Sequence, residues 1–90
     1  SGCDVFLVLA DEEQQLNALA LATDLRAAGL AVTFPLTTAK VGKQFKQAEQ
    51  AGARNAIVIG SEFPELSLKN LATREETTSS VDQIVSHLQS

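Results

Sequence analysis

Residues 39–52 read AKVGKQFKQAEQAG, and this stretch decides how the rest of the chain is organised. At 100° per residue it predicts a helix over 40–52 with one apolar face and one basic face. We expect the apolar face to pack on a sheet, and it carries Val41, Phe45, Ala48 and Gly52. The opposite face carries Lys43, Lys46, Gln47 and Gln50, with Lys40 and Gln44 on the flank. Three of the chain's seven basic side chains therefore fall within seven consecutive residues.

Apolar runs on both sides of this helix predict strands. Asp4–Ala10 (DVFLVLA) and Asn55–Gly60 (NAIVIG) lack alternation, which is typical of central strands buried on both faces. Between them, Asp11 caps a helix that runs to about Ala28 and stops at Gly29, and Leu30–Phe34 forms a second short strand. The alternation of strands and helices indicates parallel strands with right-handed crossovers and helices on the faces.

The pattern changes after residue 60. Leu66–Leu71 alternates apolar and polar residues and predicts an outer strand, followed through a tight turn by an antiparallel strand at about Glu75–Thr78. Ser80 caps the last helix and Gln83 completes a capping box. The helix presents one apolar stripe, which consists of Val81, Ile84, Val85 and Leu88.

The size and charge of the chain limit the classes of function. Ninety residues with 44% hydrophobic content indicate one globular domain with a modest core. No apolar run approaches the ~20 residues that span a bilayer. The net charge of −4 argues against coating nucleic acid with the whole surface, yet residues 40–54 carry +3 and the remainder −7. This predicts a partner touched at one place, although three lysines at this spacing are also typical of a solvated helix face.

We predict no catalytic residue and no metal site in the chain. The sequence has no HExxH, CxxC, GxSxG or complete phosphate-loop motif. Its single cysteine, Cys3, and single histidine, His87, lie far apart in sequence. The acidic group at residues 11–13 is better explained by helix capping than by metal binding, because carboxylates stabilise a helix N-terminus.

Four segments together resemble one known family. They are DVFLVLADEEQQLNALALATDLRAAGLAV (4–32), GKQFKQAEQAGARNAIVIG (42–60), LSLKNLATREE (66–76) and VDQIVSHL (81–88). In order and spacing they are similar to the C-terminal anticodon-binding domain of class II aminoacyl-tRNA synthetases, and most similar to the histidyl branch. The resemblance implies a three-layer α/β/α domain whose mixed five-stranded sheet has the order 2-1-3-4-5, with strand four antiparallel to the rest.

In that strand order the direction in which successive strands are added across the sheet reverses between strands one and three, and ligands of open α/β sheets bind beyond the carboxyl ends of strands at such a point. The edge collects Ala10–Glu12, Phe34–Thr38, Gly60–Glu62 and the start of the basic helix. By resemblance, this edge reads a tRNA anticodon loop as splayed single-stranded RNA. Lys40 and Lys43 would hold phosphates, with Lys46 and Gln47 beside them. Base edges would meet Gln44 and the backbone of Thr37 and Thr38.

The resemblance also implies what surrounds the chain. Residues 1–90 would be a single anticodon-binding domain, a fragment of a larger, typically homodimeric and cytoplasmic synthetase. The catalytic domain of the parent chain would use ATP and Mg²⁺, whereas this fragment would use no cofactor and would bind neither DNA nor membranes. Two alternatives stay open. The same fold can serve dimerisation or protein contact in an accessory protein, which the predicted outward-facing Leu16 and Leu19 would suit, or form a small α/β enzyme or nucleotide-binding domain.

Overall fold

A computed structural model describes residues 3–34 and 39–89 of the chain. The strands are β1 (Val5–Leu9), β2 (Val32–Thr33), β3 (Asn55–Ile59), β4 (Glu65–Asn70) and β5 (Glu76–Ser80). The helices are α1 (Gln15–Ala27), α2 (Val41–Gln50) and α3 (Ile84–Gln89), and a 3₁₀ turn, Glu12–Gln14, precedes α1.

The strands form one sheet in the order β2-β1-β3-β4-β5. Strand β1 is parallel to both of its neighbours, whereas β4 is antiparallel to β3 and to β5. At the centre of the sheet, Leu7 of β1 pairs with Ile57 of β3, and Ile57 pairs with Leu68 of β4. The predicted fold class, with its strand order and its antiparallel fourth strand, is confirmed.

Alternate side chains of the central strands point to opposite faces and build two cores. On one face α1 and α3 cover the larger core, whose buried members are Val5, Leu7, Ala18, Leu21, Ala22, Leu25, Ile57, Ile59, Leu66 and Ile84. On the other face α2 covers a thinner core of Phe6, Val8, Ala48, Ala53 and Ala56. The helices therefore lie in two layers around the sheet, and the single helix α2 stands alone on its side among the described residues.

The two long helices end in the same way, with a glycine in the left-handed conformation. Gly29 has φ +93° and Gly52 has φ +70°. At the end of α2, the Gly52 N–H donates to Glu49 O at 3.1 Å and the Ala53 N–H donates to Ala48 O at 3.1 Å. This pair of bonds is the Schellman motif, which satisfies carbonyl groups at a helix end. Both glycines stop their helices where the sequence predicts.

Two predicted boundaries are wrong. The strand predicted over Leu30–Phe34 pairs with β1 only at Val32 and Thr33, because the Ala31 N–H is taken by the Asp4 carboxylate at 2.8 Å instead of a strand partner. Ser80 does not cap α3, because it still pairs with Glu65 as the last residue of β5. A turn closed by the Gln83 N–H and Ser80 O, 3.0 Å apart, separates the two elements.

Gly42 inside α2 and Gly52 just after it provide a matched stability test. Gly52→Ala should lower the free energy of unfolding by about 1 kcal/mol, because an L-residue with a side chain is disfavoured in the left-handed region. Gly42→Ala should raise it by about 0.5 kcal/mol, because a Cβ there meets nothing within 4 Å and alanine restricts the unfolded chain more than glycine. Urea denaturation of both variants measures the signs, and equal signs would contradict the assigned helix end.

Candidate nucleic-acid interface

The carboxyl ends of β1 and β3 meet at one edge of the sheet, and α2 begins there. Strand β1 ends at Leu9 and β3 at Ile59, and the Ala10 N–H continues the ladder by donating to Ile59 O at 2.8 Å. The next helix after β1 packs on one face of the sheet and the next helix after β2 packs on the other. This is the topological switch point at which open α/β sheets take their ligands.

The basic face of α2 is open to solvent at this edge. Lys40, Lys43 and Lys46 are all exposed, and within the described residues none of the three forms an ion pair. Lys40 is the N-cap residue of α2, and its side chain makes no capping bond to the first turn. Unscreened cations and a helix N-terminus both favour an anion. The predicted outward placement of Lys43 and Lys46 is confirmed.

The sheet-facing side of α2 differs from the predicted one. Ala48 is buried and Phe45 half-buried as predicted, but Val41 is 37% exposed at the first turn. The flank position predicted for Gln44 is wrong, because this side chain is 1% exposed. Its amide bonds to backbone atoms of Leu9 and Ala39 at 2.7–2.9 Å. The amide therefore lies inside the domain and not on the exposed flank from which the base contact is predicted.

Gln47, Thr37 and Thr38 are the remaining residues that the sequence predicts to bind RNA. Gln47 is half-buried rather than fully outward, and its Oε1 atom is buried without a hydrogen-bond partner from the described part of the chain. A buried amide oxygen of this kind is ordinarily satisfied by a water molecule or a ligand donor. Thr37 and Thr38 lie outside the described residues.

An open cleft of about 780 Å³ lies at the same carboxyl edge of the sheet, on the side of β3, β4 and β5. Its walls come from the loops after β1 and β3 and from neighbouring positions of β3, β4 and β5: Ala10, Asp11, Val58, Gly60, Ser61, Glu62, Glu65, Leu66, Ser67 and Thr78. Three of these side chains are carboxylates. Carboxylate oxygens accept hydrogen bonds from the amino groups of bases, so the cleft suits base edges while the lysines suit phosphates.

The predicted edge contains Ala10–Glu12 and Gly60–Glu62, and five of these positions line the cleft: Ala10, Asp11, Gly60, Ser61 and Glu62. Sequence reasoning missed the contribution of Glu65, Ser67 and Thr78. The alternation of polar and apolar residues in β4 was the available signal, because it indicates that one face of that strand is not covered.

The far end of α2 is tied to the turn between β4 and β5. The Arg74 guanidinium donates to Glu49 at 2.9 Å, and the Lys69 ammonium lies 5.2 Å from the centre of the Phe45 ring. Phe34 and Phe63 pack against the core under α1 and α3. The rings of these three phenylalanines are therefore engaged in packing.

The structure also bears on ions and membranes. Within residues 3–34 and 39–89, no three side chains of His, Cys, Asp and Glu come together in a group that could hold a metal ion. In the same residues no helix has the length and apolarity to cross a membrane.

Together, the sheet order and this edge define an open α/β domain that carries a cationic helix start and an acidic cleft at the carboxyl ends of its parallel strands. The family model described as "Anticodon binding domain" matches residues 4–90. The chain belongs to this family.

Several similar proteins are histidine–tRNA ligases. The chain is 40% identical over 88 residues to a histidine–tRNA ligase of Rippkaea orientalis, an alignment that covers 94% of this chain and 20% of the relative. It is 41% identical over 87 residues to that of Anaeromyxobacter sp. strain K, covering 93% and 21%. The histidyl-tRNA synthetase structure from Nostoc sp. PCC 7120 superposes with a TM-score of 0.90 at 26% identity, covering 99% of this chain and 21% of that one. The chain thus spans about a fifth of the length of the curated relatives it matches.

Proposed function

We propose that this chain is the anticodon-binding domain of a histidine–tRNA ligase and that the carboxyl edge of its sheet reads single-stranded RNA. The observation that carries the proposal is the pairing of Lys40 and Lys43, exposed and without ion pairs among the described residues, with the open cleft at the same edge. Family membership and the identity to histidine–tRNA ligases support it.

In the proposed complex, Lys40 and Lys43 neutralise phosphates where the N-terminus of α2 adds its own positive potential. Lys46 extends this cationic face along the helix, and the half-buried Gln47 borders it. Base edges enter the cleft, where Asp11 and Glu62 accept hydrogen bonds from amino or imino groups. The backbone of Thr37 and Thr38 remains part of the proposed contact. Discrimination between bases comes from these hydrogen bonds and affinity from the lysines.

Bond-making belongs elsewhere in the proposed parent enzyme. Attachment of histidine to tRNA would take place in a catalytic domain outside these residues, with ATP and Mg²⁺, and the parent would act as a homodimer in the cytoplasm. The role of the present domain is to select and position the tRNA. Its affinity for an isolated stem-loop should be weak, because the rest of the enzyme would contribute most of the contacts.

Lys43→Glu tests the proposed interface directly. The variant should bind a labelled anticodon stem-loop of histidine tRNA about tenfold more weakly, because one phosphate contact is replaced by repulsion. Fluorescence anisotropy at fixed ionic strength measures the affinity, and circular dichroism should show an unchanged fold because the side chain is exposed.

Arg54→Glu is the matched control, with the same change of charge on an exposed side chain that precedes β3, at the opposite edge of the sheet. It should reduce affinity by less than about twofold, since net charge alone acts weakly at physiological salt. Equal losses in the two variants would show that only overall charge matters and would remove the assigned interface.

One observation favours a second candidate, in which the same fold makes a protein contact. Leu16 is 80% exposed and Leu19 47% exposed on the side of α1 that faces away from the sheet. Large apolar side chains in such a position are compatible with a covering surface, although scattered exposed leucines are common. The gene sequence upstream of Ser1 separates the candidates, because class II catalytic motifs there support the ligase and their absence supports an accessory protein.

A further inference from the structure

Strand β1 is longer than its edge partner. Strand β2 pairs with β1 only at Val5 and Phe6, whereas β1 continues to Leu9. The Val5 N–H donates to Ala31 O at 3.1 Å, so Val5 directs its backbone groups toward β2. Backbone groups two and four residues further along a strand point the same way. The N–H and C=O of Leu9 therefore point to the side of β2, beyond the last β2 residue that pairs with β1.

The side chain of Gln44 takes the place of the missing strand. Its Oε1 accepts from the Leu9 N–H at 2.8 Å, and its Nε2 donates to Leu9 O at 2.9 Å. A primary amide offers the same donor and acceptor as a peptide group, so it can continue a sheet ladder. The second Nε2 proton is donated to Ala39 O at 2.7 Å. Both protons of this buried amide are thus used within the domain.

These bonds attach the first turn of α2 to the end of β1. The Gln44 backbone N–H donates to Lys40 O at 3.0 Å, so residue 44 bonds to the carbonyl groups of both residues that precede the helix. Lys40 and Lys43 lie on this turn. An apolar side chain at position 44 would leave two partly buried backbone groups of Leu9 without these partners, and burial of unpaired backbone groups is costly.

We propose that Gln44 is a positioning residue for RNA binding: it holds Lys40 and Lys43 at the carboxyl edge of the sheet and does not itself contact the RNA. The inference rests on the proposed function, because it concerns how that interface is kept in place. In this role Gln44 does not recognise a base. It acts indirectly, because its buried amide both accepts from the Leu9 N–H and donates to Leu9 O.

A double-mutant cycle with Gln44→Met and Lys43→Gln in the 90-residue chain tests this role. Lys43→Gln alone should weaken binding of the labelled histidine-tRNA anticodon stem-loop about fivefold. Gln44→Met should weaken it about tenfold, and in that background Lys43→Gln should cost less than about twofold, because the lysine is already displaced. A purely structural role would leave the two effects multiplicative. Gln50→Met, an exposed position on the same helix, should leave the effect of Lys43→Gln unchanged.

The outcomes separate this inference from the proposed function. If the unaltered chain does not bind the stem-loop, both fall; if it binds but the cycle is multiplicative, only the role of Gln44 falls. Should Gln44→Met not fold, NMR of the ¹⁵N-labelled unaltered chain decides. The Gln44 side-chain and Leu9 amide protons should exchange slowly and should stay protected when the stem-loop is added. Rapid exchange, or loss of protection on binding, would overturn the inference.

Discussion

Leu7→Ala should lower the free energy of unfolding by about 3 kcal/mol, the middle of the range for a buried leucine truncated in a core. Leu7 is completely buried in β1, the strand between β2 and β3, and lies in the core that α1 covers. Its removal costs the transfer free energy of the lost methyl groups and leaves a cavity that surrounding strands cannot close. For a domain with a total stability of ~5–15 kcal/mol this is a large fraction. Urea denaturation followed by circular dichroism measures it.

Leu16→Ala is the control for this prediction, because it removes the same atoms from a side chain that is 80% exposed. It should change the free energy of unfolding by less than about 0.5 kcal/mol. If the two substitutions had similar effects, either Leu7 would not be in the core or Leu16 would be covered in solution by a second molecule. Repeating the measurement at several protein concentrations distinguishes these cases.

Ala48→Leu should destabilise the domain by about 2 kcal/mol, because it adds atoms to a core that is already filled. Ala48 is completely buried between α2 and the sheet, in a core whose other members include Ala53 and Ala56. Three alanines in five buried residues allow α2 to lie close to the strands. A leucine at position 48 has to push the helix outward or adopt a strained rotamer. The loss is measured by the shift of the urea midpoint at constant slope.

Ala51→Leu provides the comparison at an exposed position just after the same helix. We expect a change within about 0.5 kcal/mol, since the added atoms remain in solvent. A neutral or stabilising Ala48→Leu would mean that the space under α2 is larger than the buried alanines indicate. The assigned contact between α2 and β1 would then need revision.

The order of helices and strands could be read from the sequence because the apolar period changes between them. The runs at Asp4–Ala10 and Asn55–Gly60 lack polar alternation, which reflects burial on both faces, and Gly29 and Gly52 mark helix ends by a conformation that other residues avoid. The strand order needed the family resemblance. Alternating strands and helices determine parallel direction and crossover hand, but not which strands become neighbours.

Gln44 could not be placed correctly from the sequence, because its position depends on a partner 35 residues earlier. On a helical wheel, a polar residue beside the apolar face is assigned to solvent. The end of β1 that β2 leaves unpaired does not enter that assignment, because it lies elsewhere in the sequence. The same limitation explains Val41, which lies on the predicted apolar face but at the first turn of α2, where it remains exposed. The alternation in β4 indicates an uncovered face, but the cleft also depends on where α2 lies on the sheet, which is a property of packing.

The helix α2 is bonded to the rest of the domain near both ends, through Gln44 at its start and through Glu49 to Arg74 at its finish. Such a helix meets a ligand in a conformation that it already holds, so the protein loses little configurational freedom on association. In the proposed complex with RNA, the entropy cost would then fall mainly on the nucleic acid, whose loop has to unstack. Loops that already hold their bases apart would gain the most from a preorganised receptor of this kind.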